Sequence, residues 1–110
     1  MLDKLGQEIN VGNVIAYALG TRDCTLHIGV VLEVQAQTRT YRDWKTKETI
    51  EYQEHFIRIV PALTDSEHRT PPLMDWGHRG LLIDEGRLPL ETQACIDRIR
   101  QRINTAHYKI

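Results

Sequence analysis

The chain has 110 residues, 41% hydrophobic and 26% charged, with a formal net charge of −1. That length allows one small domain with one core, and the apolar content excludes a disordered chain. The balance of charge argues against a general electrostatic grip on nucleic acid, and no apolar run approaches the ~18–20 residues that cross a bilayer.

The opening residues Met1–Gly6 lack the basic and apolar regions of a secretory signal, so the expected compartment is the cytoplasm. Cys24 and Cys95 are remote in sequence and belong to no CxxC or Cys/His cluster. In a reducing compartment two free thiols are favoured over a disulfide, and Cys95, among apolar neighbours, reads as a small core residue. Charge is uneven along the chain. Residues 63–91 carry six acidic side chains against Arg69, Arg79 and Arg87, whereas Arg98, Arg100, Arg102 and Lys109 face only Asp97 after residue 91. Lobes of opposite sign meet either within one fold or across a contact between copies, so a homo-oligomer stays open.

A turn at Gly6–Glu8 and a break at Ile9–Asn13 precede the apolar run Val14–Leu19, the first expected strand. Gly20–Asp23 is a second turn. Leu26, Ile28, Val30, Leu32 and Val34 then alternate with their neighbours, which is the period of a strand. Gly29 within it predicts a bulge or sharp bend.

Residues 38–54 read as a separate hairpin. With its turn at Thr46–Lys47, Arg39 faces Glu54, Arg42 faces Glu51, Lys45 faces Glu48 and Tyr41 faces Tyr52. Each such pair contributes roughly 0.2–1 kcal/mol. A longer four-residue loop preserving that register is an equal alternative. Phe56–Val60 is a further strand ended by Pro61, residues 64–72 form a polar loop, and Gly80–Asp84 is a last short strand. After Pro89 the period changes: Thr92, Ile96, Ile99 and Ile103 form one stripe of an amphipathic helix from about Glu91 to Asn104.

The string Gly6-x-Glu8-Ile9-x-Val11-Gly12-Asn13-Val14-Ile15-Ala16-Tyr17, followed by Leu26-x-Ile28-Gly29-x-Val31, resembles the opening of small SH3-like (KOW-like) β-barrel proteins. It is especially similar to short bacteriophage-encoded proteins of unknown function. The resemblance spans about residues 3–34 and implies a turn at Val-Gly-Asn into the first strand and a bend at the glycine of the second. It carries no active site. The expected fold is therefore mainly β: a small SH3-like antiparallel barrel of about five strands with a C-terminal amphipathic helix. One domain spans 1–110, with a barrel core at 1–62, a loop-rich extension at 63–90 and the helix at 91–104.

No GxSxG, HExxH, P-loop or GxGxxG motif is present, and the five histidines have no metal-ligand spacing. Neither catalysis, a cofactor nor a metal is expected. His27 and His55 read as edge or surface residues. Two segments are candidate binding features. The hairpin interleaves Arg39, Tyr41, Arg42, Trp44, Lys45 and Lys47, a mixture that stacks bases and holds phosphates, although the register above already sets three of those cations opposite glutamates. Leu73–Gly80 places Trp76 just before Gly77 and His78 and Arg79 between Gly77 and Gly80, suited either to a planar anionic ligand or to plugging the end of a barrel. The expectation is a non-enzymatic binding protein, in the phage analogy an accessory factor that sequesters a nucleotide-like signalling ligand or a host protein in the host cytoplasm. Arg22, Arg42, Trp44, Arg58, Trp76, His78 and Arg79 are its candidate ligand-binding residues. An RNA- or DNA-binding SH3-like module is the alternative.

Overall fold

A computed structural model of the chain describes residues 2–3, 5–18, 26–73 and 80–109. Strands β1 (Val14–Ala18), β2 (Leu26–Arg42), β3 (Thr49–Pro61) and β4 (Leu81–Leu82) precede helix α1 (Leu90–Asn104). The strands form one curled antiparallel sheet, a half-barrel, in the order β3-β2-β1-β4. Four strands are found where about five were expected: of the six strand segments read from the sequence, two pairs are each continuous. Residues 26–34 and the first arm of the hairpin merge into the 17-residue β2, and the second arm merges with Phe56–Val60 into the 13-residue β3.

The entry into β1 is a tight turn in which the Asn13 N–H donates to the Asn10 carbonyl and Gly12 has φ 89°. That left-handed value is what glycine permits. The turn is tied to β2 by Gly12 N–H on the Val31 carbonyl and Val31 N–H on the Asn13 carbonyl. Gly29 is not the bulge. It pairs with Ile15 on one side and Pro61 on the other, and a Cβ there would lie 2.4 Å from Ile59 Cγ2 and 2.7 Å from the Val60 carbonyl. Its role is close approach of neighbouring chain. The bulge falls at Leu32, between the pairs Val31↔Ile59 and Glu33↔Arg58.

That extra residue changes the phase of the alternation. Val30 and Leu32 pack on the α1 side with Val14 and Val60, whereas Val34 packs on the opposite face with Ile15, Val31, Ile57 and Ile59. The five alternating residues therefore do not share one face. Leu26, at the strand's start, is 69% exposed.

Beyond the bulge, β2 and β3 continue as a two-stranded ribbon. Its register differs from the charge-paired one by two residues: Arg39 lies opposite Tyr52, Tyr41 opposite Ile50 and Arg42 opposite Thr49. The connection is a four-residue loop, 44–47, closed by Lys47 N–H on the Asp43 carbonyl and Asp43 N–H on the Glu48 carbonyl, with Lys47 at φ 58°. A shift of two preserves the faces, so two expected partners persist as diagonal contacts. Arg39 Nε lies 3.0 Å from Glu54 Oε2, and the Tyr41 and Tyr52 rings meet edge-on at 5.8 Å. Arg42 with Glu51 and Lys45 with Glu48 form no ion pair among the described residues.

Helix α1 lays Cys95, Ile96 and Ile99 on Val14, Val30, Leu32 and Val60, with Ile103 half-buried beside them and Thr92 buried at the near end. The expected stripe is thus the buried one, and Cys95 is a buried free thiol; Cys24 lies outside the described residues. The acidic and basic lobes meet within the chain, Glu85 against Arg100 at 2.6 Å and Glu67 against Arg98 and Arg102. No helix is long and apolar enough to cross a membrane among the described residues.

Candidate ligand-binding site

On the sheet face away from α1, the ends of β1, β2 and β3 and the loop after Pro61 enclose a cavity of about 380 Å³. Its floor is Tyr17 of β1, His27 of β2 and Ile59 and Pro61 of β3. Tyr17 and His27 are direct cross-strand partners, their rings 5.6 Å apart and inclined at 31°. Gly29 brings this floor together, because the Cβ it lacks would also lie 3.3 Å from Tyr17 Cε1. The opposite wall is Thr64, Ser66, Arg69, Thr70, Pro71 and Pro72. It presents hydroxyls and one guanidinium to an otherwise apolar, aromatic space. Arg69 is exposed and forms no ion pair among the described residues. Burial pushes the Tyr17 phenol up to about 12, so it remains protonated at neutral pH.

The wall is held from behind by a buried polar cluster. The Cys95 thiol donates to Glu67 Oε2 at 2.9 Å and accepts from the Leu63 N–H at 3.3 Å. Glu67 Oε1 lies 3.3 Å from Arg102 Nη1, and Glu67 Oε2 lies 3.8 Å from Arg98 Nη2. The Tyr108 hydroxyl donates to the Glu67 carbonyl at 2.6 Å, and Lys109 N–H donates to Thr70 Oγ1 at 3.0 Å. The Cys95 hydrogen bond, aided by the two arginines, overcomes burial and holds the Glu67 carboxyl below the usual range. Burial and the adjacent carboxylate push the Cys95 thiol up, which makes it a donor and a poor nucleophile. From the other edge, the Arg58 guanidinium donates to the Pro71 carbonyl at 2.7 Å while its Nε engages Glu33 at 2.6 Å.

The structure does not gather the described candidate residues into one site. Arg58 braces the cavity wall through Pro71 and is occupied by Glu33, so it is a structural cation. Arg42 pairs with Thr49 at the far end of the ribbon, which puts ~30 Å of strand between it and Arg58 at ~3.3 Å per residue. Trp44 stands beside Arg42 at the ribbon tip, 80% exposed, with Lys45 Nζ 5.4 Å from its ring. Arg22, Trp76, His78 and Arg79 lie outside the described residues.

Tyr17, His27 and Arg69 were not singled out by the sequence as a group, because they come from three separate segments. The local signal was a polar loop bracketed by Pro61 and Pro71-Pro72. No protein-family model, no curated protein and no solved structure matches this chain.

Proposed function

We propose that this chain is a non-enzymatic binding protein whose cavity takes a small planar anion of nucleotide type. The observation that carries this reading is the juxtaposition of the Tyr17–His27 ring pair with Arg69 and the hydroxyls of Thr64, Ser66 and Thr70 around about 380 Å³. The volume falls within the ~300–1,000 Å³ of small-molecule sites, which combine apolar walls with a few placed polar groups. Aromatic faces suit a base, hydroxyls suit sugar or phosphate oxygens, and a guanidinium offers paired donors to an anion. The curled sheet and the glycine turn into β1 support the finer reading of an SH3-like fold, and the phage-type reading rests on the resemblance over residues 3–34. In that reading the protein acts stoichiometrically in the host cytoplasm by sequestering its ligand. The nucleic-acid alternative is disfavoured by the ribbon's charge balance: Arg39, Arg42, Lys45 and Lys47 are equalled in number there by Asp43, Glu48, Glu51 and Glu54, and Arg39 is paired with Glu54.

The test is a thermal-unfolding panel of cyclic dinucleotides, ADP-ribose derivatives and mononucleotides. A true ligand raises the stability of the folded state by about 2.7 kcal/mol at a hundredfold excess over its Kd. The shift is expected to vanish in Arg69→Ala. A flat response across the panel, or an equal response in Arg69→Ala, overturns the proposal.

A further inference from the structure

We propose that the outer edge of β3 over residues 51–55 pairs with the same edge of a second copy of this chain, about a two-fold axis at Gln53. Two-stranded ribbons are marginal in water without a third layer or strand, yet here one extends well past the bulge with both faces exposed over residues 35–42. Its two edges differ. The edge of β2 is blunted by the bulge at Leu32 and by Arg39 and Arg42, devices that discourage pairing. Thr49–Ile57 contains no proline and no lysine, and β3 is an outer strand of the sheet.

The hydrogen-bond phase of the ribbon fixes which groups face outward. Because Asp43 N–H donates to the Glu48 carbonyl, even-numbered residues of β3 exchange bonds with β2 and odd-numbered ones direct theirs away. Of these, Glu51, Gln53 and His55 remain accessible, whereas Ile57 is fully buried, so a two-fold axis at Gln53 pairs Glu51, Gln53 and His55 with His55, Gln53 and Glu51 of the partner. In that register Ile50 lies opposite the partner's Phe56, and Glu51 lies opposite the partner's His55. The apolar side of the ribbon, where Tyr41 packs on Tyr52 and Arg39 lies 6.0 Å from the Phe56 ring, then continues across the axis. Its one carboxylate, Glu54, is already neutralised by Arg39. Two neighbouring registers carry a carboxylate clash: an axis at Glu54 sets that carboxylate against itself, and a slip of one residue sets Glu51 against Glu54.

Sedimentation velocity of the intact chain, from low micromolar to several hundred micromolar, tests the pairing without any ligand and so independently of the cavity. The expected result is a doubling of mass with concentration. Gln53→Pro removes both outward donors at the axis while sparing the backbone bonds to β2, at the loss of the Gln53 Nε2–H bond to Thr38 Oγ1, and is expected to weaken association at least about tenfold. Amide exchange of wild-type Glu51, Gln53 and His55 is expected to slow as concentration rises, which guards against a variant that unfolds. A monomer throughout the range overturns the proposal. So does a dimer unaffected by Gln53→Pro and lost in Tyr52→Lys, which would mean packing of apolar faces, or capture of an extended peptide by a chain that never self-associates.

Discussion

Replacing Glu67 by alanine tests the physical account of the cavity wall. Glu67 is 9% exposed and sits between a buried thiol and two guanidiniums. Arg98 is half-exposed, so its pairing contributes only about 0–1 kcal/mol. Arg102 is the costly partner: its side chain is 19% exposed, and its buried Nη1 has the Glu67 carboxylate as its charge partner. Removing one member of a buried pair costs about 3–5 kcal/mol, because the remaining charge is left uncompensated. That is a large part of the ~5–15 kcal/mol that holds a small domain folded. Glu67→Gln retains an acceptor for the thiol and should cost less, about 1–3 kcal/mol. Urea unfolding measures both, with the midpoint falling and the slope unchanged. The pH dependence carries the sign. The folded-state pKa of Glu67 is depressed from its ordinary 4.5, so its contribution is present above that value and lost as pH falls through the lower folded value. The Glu67→Gln variant should therefore lose less stability than the wild type between neutral and acid pH. A Glu67→Ala midpoint within about 0.5 kcal/mol of wild type, the range of ordinary surface changes, would refute the reasoning.

Gly29→Ala forces a methyl against Ile59 and the Val60 carbonyl, the second of which is backbone and cannot swing away. A loss of about 1–3 kcal/mol or more in chemical unfolding is expected; a neutral variant would mean the strands are not so close. Tyr17→Phe addresses alkaline pH. The phenol's pKa rises from 10.0 to about 12 on folding, so its contribution is intact below pH 10 and disappears as pH climbs through the folded value. Wild type should lose more stability than the variant across that window, and parallel curves would contradict the burial of the hydroxyl. Trp44→Ala at the ribbon tip should leave the unfolding midpoint within about 0.5 kcal/mol of wild type. It also separates the two binding readings: single-stranded RNA affinity that falls about 1–3 kcal/mol in this variant and declines steeply with salt would restore the nucleic-acid alternative.

What the amino-acid order determined by itself was local. An apolar run marked β1, alternation marked the first part of β2, and a 3.6-residue stripe marked α1 with Ile96 and Ile99 on its buried face. These patterns repeat within a few residues, so their periods are visible without knowing what they pack against. The ribbon's register was not legible, because side-chain direction repeats every two residues and a slip of two keeps the same faces. Opposite charges then identified diagonal neighbours such as Arg39 and Glu54 as direct partners. The bulge at Leu32 was equally hidden, and it sent Val34 to the face opposite Val30. Only the tertiary structure decided the cavity and its support. Tyr17, His27 and Arg69 meet across three segments, and Glu67 reaches Cys95 and Arg102 across 28 and 35 positions of chain. Each of those side chains is unremarkable in its own stretch of sequence. Their chemistry comes from burial and from one another, and both of these exist only once the sheet has curled and the helix has closed over it.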